Sequence, residues 1–145
     1  MSADFIFATQ NATFGAPEVK LGLIQGFGGT QRLAKILGRN RAKELIYSGR
    51  SMGAAEMQEI GLVLRVYETK ETMINAAKEW LNTAAHNSLY AIGKAKQVMN
   101  MGNDLPLAQG LNHELSEFSA IFASQDMREG TRAFLEKRLP KFIGK

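Results

Sequence analysis

The feature that most constrains this chain is a change of pattern near residue 67. Before it, apolar runs are short and each ends in a turn signal. Asp4-Phe5-Ile6-Phe7-Ala8 reads as a strand, followed by the turn pair Gln10-Asn11. Ala12-Thr13-Phe14 reads as a second, closed by Gly15 and Pro17, and Leu62-Val63-Leu64-Arg65-Val66-Tyr67 as a third. Strands this short cannot hold a sheet by themselves. After residue 67 apolar residues recur at helical spacing almost without a break. The pattern predicts helices over 70–85, 88–101, 105–122 and 126–138. Shorter helices are expected over 30–37, 41–47 and 54–60, with Gly38, Gly49 and Gly61 at their ends. The expectation is an α/β chain, predominantly α-helical with a few short strands, divided into residues 1–67 and 68–145.

Capping chemistry refines these limits. Ser51 is positioned to cap the helix over 54–60. Pro106 falls in a first turn, where its missing N–H costs nothing. Asp126 followed by Glu129 has the form of a capping box, and Pro140 stops the last helix.

Within the first region, residues 14–33 stand out. Glu18 follows Pro17, and Gly26-Phe27-Gly28-Gly29 then leads into a helical pattern. A carboxylate near a loop with unobstructed amides can act on a polarised carbonyl. The plainer reading of Glu18 is a solvated acid in a first turn, and that of the glycines is a tight turn at a helix start. Both readings stand on pattern alone. A phosphate-binding Walker loop is rejected, because Gly29 is followed by Thr30-Gln31 rather than Lys and a hydroxyl residue. A dinucleotide fingerprint is rejected because it needs a small residue at Gln31.

Composition removes other classes. There is no cysteine, so disulfides, thiolate metal sites and cysteine nucleophiles are excluded. The net charge of +4 is spread along the chain, which suits an anionic small molecule and gives no footprint for nucleic acid. His86 and His113 lie on separate helices without metal-ligand spacing, so no metal is expected. Met52, Met57, Met73, Met99 and Met101 read as core or gap fillers. Lys137, Arg138 and Lys141 either complement a helix C-terminus or hold a ligand phosphate, and Phe118 and Phe122 are either core or rings for a stacked base. No apolar run reaches transmembrane length, and the start lacks the pattern of a signal peptide. A cytoplasmic protein without a membrane partner is expected.

Phe14-Gly15-Ala16-Pro17-Glu18-Val19-Lys20-Leu21-Gly22-Leu23-Ile24 followed by Gly26-Phe27-Gly28-Gly29-Thr30-Gln31-Arg32-Leu33 closely resembles the enoyl-CoA hydratase/isomerase, or crotonase, family. Arg41-Ala42-Lys43-Glu44-Leu45, Gly61-Leu62-Val63 and Phe134-Leu135-Glu136-Lys137-Arg138-Leu139-Pro140-Lys141-Phe142 continue the likeness. It covers essentially the whole chain and the C-terminal half of the family domain, a ββα spiral. The resemblance implies hydration of a trans-2-enoyl-CoA to a 3-hydroxyacyl-CoA. Glu18 matches the second of two catalytic glutamates, and Gly26 a glycine whose amide places the water. Phe118, Phe134 and Lys137 match positions near the CoA adenine and its phosphate. No separate cofactor is implied, since coenzyme A is part of the substrate, and a homo-oligomer, trimer or hexamer, is expected. The first glutamate and the oxyanion-hole amides belong to the half that the resemblance does not cover, so this chain alone is expected to be poorly active or inactive. The alternatives are an acyl-CoA-binding or oligomerisation remnant and an enoyl-CoA isomerase. Gln25 stands where the family usually has proline, which implies a looser turn before Gly26. Leu89 and Gly93 replace a usual proline and a frequent arginine.

Overall fold

The computed structural model describes all 145 residues. In chain order its elements are β1 (Phe7–Thr9), β2 (Thr13–Gly15), a 3-10 helix (Pro17–Leu21), α1 (Gly29–Leu37), α2 (Arg39–Ser48), β3 (Ser51–Gly53), α3 (Ala54–Glu59), β4 (Arg65–Tyr67), α4 (Lys70–Ala85), α5 (Leu89–Gly102), α6 (Leu107–Ile121) and α7 (Gln125–Leu135). They form two compact units, Met1–Lys78 and Glu79–Lys145, with the divide inside α4.

In the first unit β1 and β4 pair in parallel, with Ala8 opposite Val66, and β2 and β3 pair antiparallel, with Phe14 opposite Met52. The expected strand over 62–67 begins only at Arg65, because the Leu62 and Val63 amides donate to the Met57 carbonyl at 2.9 and 3.1 Å. Those bonds turn the chain out of α3 and carry both side chains inward. Ala8, Leu33, Leu37, Ala42, Leu45, Met52, Ala54, Met57, Leu62 and Val63 make one apolar cluster. Leu33 and Leu37 lie one turn apart on α1, and Ala42 and Leu45 on α2, so the two helices close on each other through one face each. Ser51 does not cap α3. It lies in β3 opposite Gly15, and Gly53 holds the N-cap position. Arg50 binds Glu44 and Glu56, each at 2.7 Å, in an exposed bridge that contributes little.

The second unit is helical. Ser88 caps α5, its Oγ accepting from the Ala91 amide at 3.1 Å. α5 and α6 pack together, and Lys94 Nζ reaches Glu117 Oε2 at 2.7 Å. Pro106 takes the N-cap position of α6 rather than its first turn. Met99 and Met101 are exposed, not core. The expected capping box is also corrected. Ser124 caps α7, and Asp126 is a buried clamp for the C-terminal tail. Its Oδ2 accepts from Ser88 Oγ at 2.6 Å and its Oδ1 from the Ile143 amide at 2.8 Å. The Gly144 amide donates to both oxygens, and the Asp126 amide donates to the Lys145 carbonyl at 2.9 Å. Glu129, expected to reach back to the cap, instead binds Arg138 at 2.6 Å and accepts from the Lys141 amide at 2.8 Å.

Two expectations follow. Met57 is fully buried, so Met57→Ala lowers stability by about 2–5 kcal/mol, read as a lower urea midpoint. The Ser88 hydroxyl, then the Ile143 and Gly144 amides, hold the Asp126 carboxyl below its ordinary range, against the opposing effect of burial. Arg138, then the Lys141 amide, hold Glu129 down to about 2. A depressed acid stabilises the fold above its unfolded pKa, and this is lost as pH falls through the lowered value. Acid titration therefore lowers the protection of the Ile143 and Gly144 amides relative to their intrinsic exchange rates, and Asp126→Asn lowers it already at neutral pH.

Candidate active site

Glu18 sits in the first turn of the 3-10 helix, directly after Pro17. Proline fixes φ where the missing N–H has no intrahelical partner, so the helix start is set without a capping side chain. The helix ends at Gly22 in the left-handed conformation, φ 71°, and the Leu23 amide returns to the Glu18 carbonyl at 3.1 Å. Glu18 is half-buried, and its Oε2 is enclosed without any hydrogen-bond partner. A buried carboxylate oxygen with no donor is costly, and it is the arrangement expected of a group kept for a ligand or water.

The glycine turn follows. Phe27 has φ 50° and Gly28 φ 76°, and the Gly29 amide donates to the Gly26 carbonyl at 3.0 Å before α1 begins. The Arg32 guanidinium donates to the Phe27 carbonyl, tying the tip of the turn to the first turn of α1. Gly26 is exposed, and no atom lies within 4 Å of the place a Cβ would take, so its flank is open to an incoming molecule. Glu18 and Gly26 are thus brought onto one continuous loop.

Burial along this loop is reversed. Leu21, Leu23, Ile24 and Phe27 are exposed, whereas the amide of Gln25 is buried. Gln25 Nε2 donates to the Ala16 carbonyl at 3.2 Å. The looser turn implied at Gln25 is therefore not what the structure shows: this side chain is tied down. Sequence reasoning missed this contact, and its only signal was one amide between apolar and glycine neighbours. Val19, Ile24 and Gln25 also line a cleft of about 570 Å³, with Ala34, Ala42 and Ile46 among its other residues.

In the second unit Phe118 projects from α6, exposed, and meets Phe122 edge-on at 5.3 Å. Phe134 is exposed in the last turn of α7. Lys137 follows at φ 54°. Its amide donates to the Phe134 carbonyl at 3.2 Å, and the Arg138 amide to the Ala133 carbonyl at 3.0 Å. This pair of bonds is the Schellman closure, which normally has glycine where Lys137 stands. It holds Phe134 and Lys137 close in the chain, with the lysine exposed. No three His, Asp or Glu side chains are placed to hold a metal ion, and no helix is long and apolar enough to cross a membrane.

The acid on its 3-10 helix and the open glycine turn stand beside short strands, and the fold around them is of the crotonase-type α/β class, shared with solved enoyl-CoA hydratases. The whole chain, residues 1–145, matches the family model described as enoyl-CoA hydratase/isomerase, and the chain belongs to that family. It is 38% identical over 145 residues to a probable mitochondrial enoyl-CoA hydratase of Dictyostelium discoideum, covering 100% of this chain and 52% of that protein. It is 41% identical over 138 residues to a short-chain-enoyl-CoA hydratase of Clostridium acetobutylicum, covering 95% of this chain and 52% of the relative. Among solved structures, an enoyl-CoA hydratase from Bacillus anthracis superposes with a TM-score of 0.93 at 38% identity, over 99% of this chain and 55% of that one. The chain spans about half the length of the curated relatives it matches.

A left-handed lysine costs about 1 kcal/mol relative to glycine. Lys137→Gly is therefore expected to raise stability by up to about 1 kcal/mol, less the extra freedom of glycine in the unfolded chain. Urea unfolding reads this, and a lower midpoint would show that the lysine side chain itself supports the fold.

Proposed function

We propose that this chain carries the Glu18 side of an enoyl-CoA hydratase site. In the reaction, water oxygen bonds to C3 of a trans-2-enoyl thioester as a proton is delivered to C2, giving a 3-hydroxyacyl-CoA. Glu18 delivers that proton or shares the water, and the Gly26 amide holds the water. The observation that carries this reading is the enclosed Glu18 Oε2 without a protein partner, on the same loop as the open glycine turn. The names of the relatives support the substrate class. Phe118, Phe134 and Lys137 are proposed to meet the CoA moiety, its adenine by the rings and a phosphate by the ammonium. No cofactor beyond the CoA of the substrate is needed for this chemistry.

One carboxylate does not complete the cycle. Hydroxide delivery to C3 needs a second base, and the developing enolate needs donors whose loss costs several kcal/mol each. Turnover by this chain is accordingly expected to be slow. Self-association is part of the same proposal. Leu107, Leu111, Leu115 and Phe118 of α6 and Phe122 at its C-cap recur at helical spacing and are all exposed, a stripe that a second copy would cover.

The test is hydration of crotonyl-CoA by this chain, followed as loss of the enoyl thioester absorbance. Turnover above buffer is expected, and Glu18→Gln is expected to lower kcat by about 100-fold or more with KM little changed. Turnover retained by Glu18→Gln would overturn the assignment. Binding of crotonyl-CoA without turnover would instead mark a carrier of acyl-CoA.

A further inference from the structure

We infer that Gln25 is a positioning residue whose buried amide fixes the Glu18 turn and the Gly26 amide relative to each other. The inference rests on the reading of Glu18 and Gly26 proposed above and adds a residue that reading does not use.

The backbone hydrogen bonds of this loop fall into two separate sets. Gly22 donates to Val19 and Leu23 to Glu18, which closes the 3-10 helix on itself. Gly29 donates to Gly26, and Gln31 and Arg32 to Gly28, which closes the glycine turn on α1. The one hydrogen bond that crosses between the two sets is Gln25 Nε2 to the Ala16 carbonyl, at 3.2 Å. Ala16 is itself buried and stands at the N-cap of the helix that bears Glu18. At the other end, the peptide unit that joins Gln25 to Gly26 contains the Gly26 N–H. A single side chain therefore links the residue two before the acid to the peptide carrying the amide.

The stem of Gln25 is held as well. A Cβ on Gly29 would stand 2.8 Å from Gln25 Cβ, so the side chain lies packed against the first residue of α1. Packing alone does not account for the residue. An apolar side chain would fill the same space without the desolvation cost of an amide. The amide is kept where its donor is used, and the donor reaches the segment that aims Glu18. A proline here would fix its own φ but could not bond Ala16.

The experiment compares Gln25→Met, which keeps shape and loses the donor, with the wild-type chain and with Glu18→Gln. Two readouts are taken: kcat and KM for crotonyl-CoA hydration, and backbone amide resonances. Misplacing the acid against the water should lower kcat by about 10-fold and leave KM within about twofold. The Glu18 resonance should move, while those of α5 and α6 stay; Gly26, next in the chain, moves with any substitution at 25 and is not counted. Gln25→Glu supplies a second variant. Its protonated carboxyl can donate to Ala16 and its ionised form cannot, so its deficit should shrink toward acid pH. Wild-type kcat in Gln25→Met with an unmoved Glu18 resonance overturns the inference, whatever Glu18→Gln does. Turnover kept by Glu18→Gln overturns the reading of the site instead. If the wild-type chain hydrates nothing, the Glu18 resonance decides: its movement supports the brace, and an unmoved Glu18 resonance overturns it.

Discussion

The first unit hangs on Met57. Its side chain is fully buried, and its carbonyl takes the amides of both Leu62 and Val63. These bonds reverse the chain after α3 and deliver β4 alongside β1. None of the four strands exceeds three residues, and each pairs with one partner. Ladders that short are marginal in water. The strands are held because each places a residue in or against the cluster that α1, α2 and α3 enclose: Ala8 from β1, Phe14 from β2, Met52 from β3 and Val66 from β4. Order flows from the helices to the strands here, the reverse of a fold built on an extended sheet.

The candidate site inherits its rigidity from the same cluster. Leu33 and Leu37 anchor α1, so the glycine turn that begins it has a fixed base. On that base the usual rule of burial is inverted, with four apolar side chains facing solvent and one amide turned inward. Left-handed Phe27, fully exposed at 103%, adds backbone strain without any packing gain. Such conflicts between local preference and environment collect where a chain serves a ligand rather than its own stability. The enclosed, unpartnered oxygen of Glu18 on the adjoining turn belongs to the same set of conflicts.

The helices were legible because their evidence is local and repeated. The spacing of apolar residues predicts α4 through α6 to within a few residues of what is seen. What could not be read was every choice settled by a distant partner. Ser51 has a capping side chain, but pairing of β3 with Gly15 of β2 decides its place. Asp126 has the right chemistry for an N-cap, yet its oxygens are taken by Ser88 and by amides at 143 and 144. Glu18 and Gly26 came from a resemblance that covers their loop, whereas the role of Gln25 depends on a carbonyl nine residues earlier. A propensity rule ranks what a residue can do locally and carries no information about which tertiary group will claim it.

The second unit shows the same logic at the chain's end. Once Asp126 is taken by residues 143 and 144 and Glu129 by Arg138 and Lys141, the segment after α7 must fold back along that helix. A turn tight enough for that needs a left-handed residue, and Lys137 supplies it in place of glycine. Phe142 then packs on Gly130, where an added Cβ would approach its ring to 3.3 Å. The clamp keeps the polar side of the tail occupied and leaves Phe134, Leu135 and Leu139 facing outward. Glycine at 137 would make the turn easier, but it would remove an exposed ammonium three residues after Phe134. Local stability alone would favour glycine at this position, and the left-handed lysine stands against that preference.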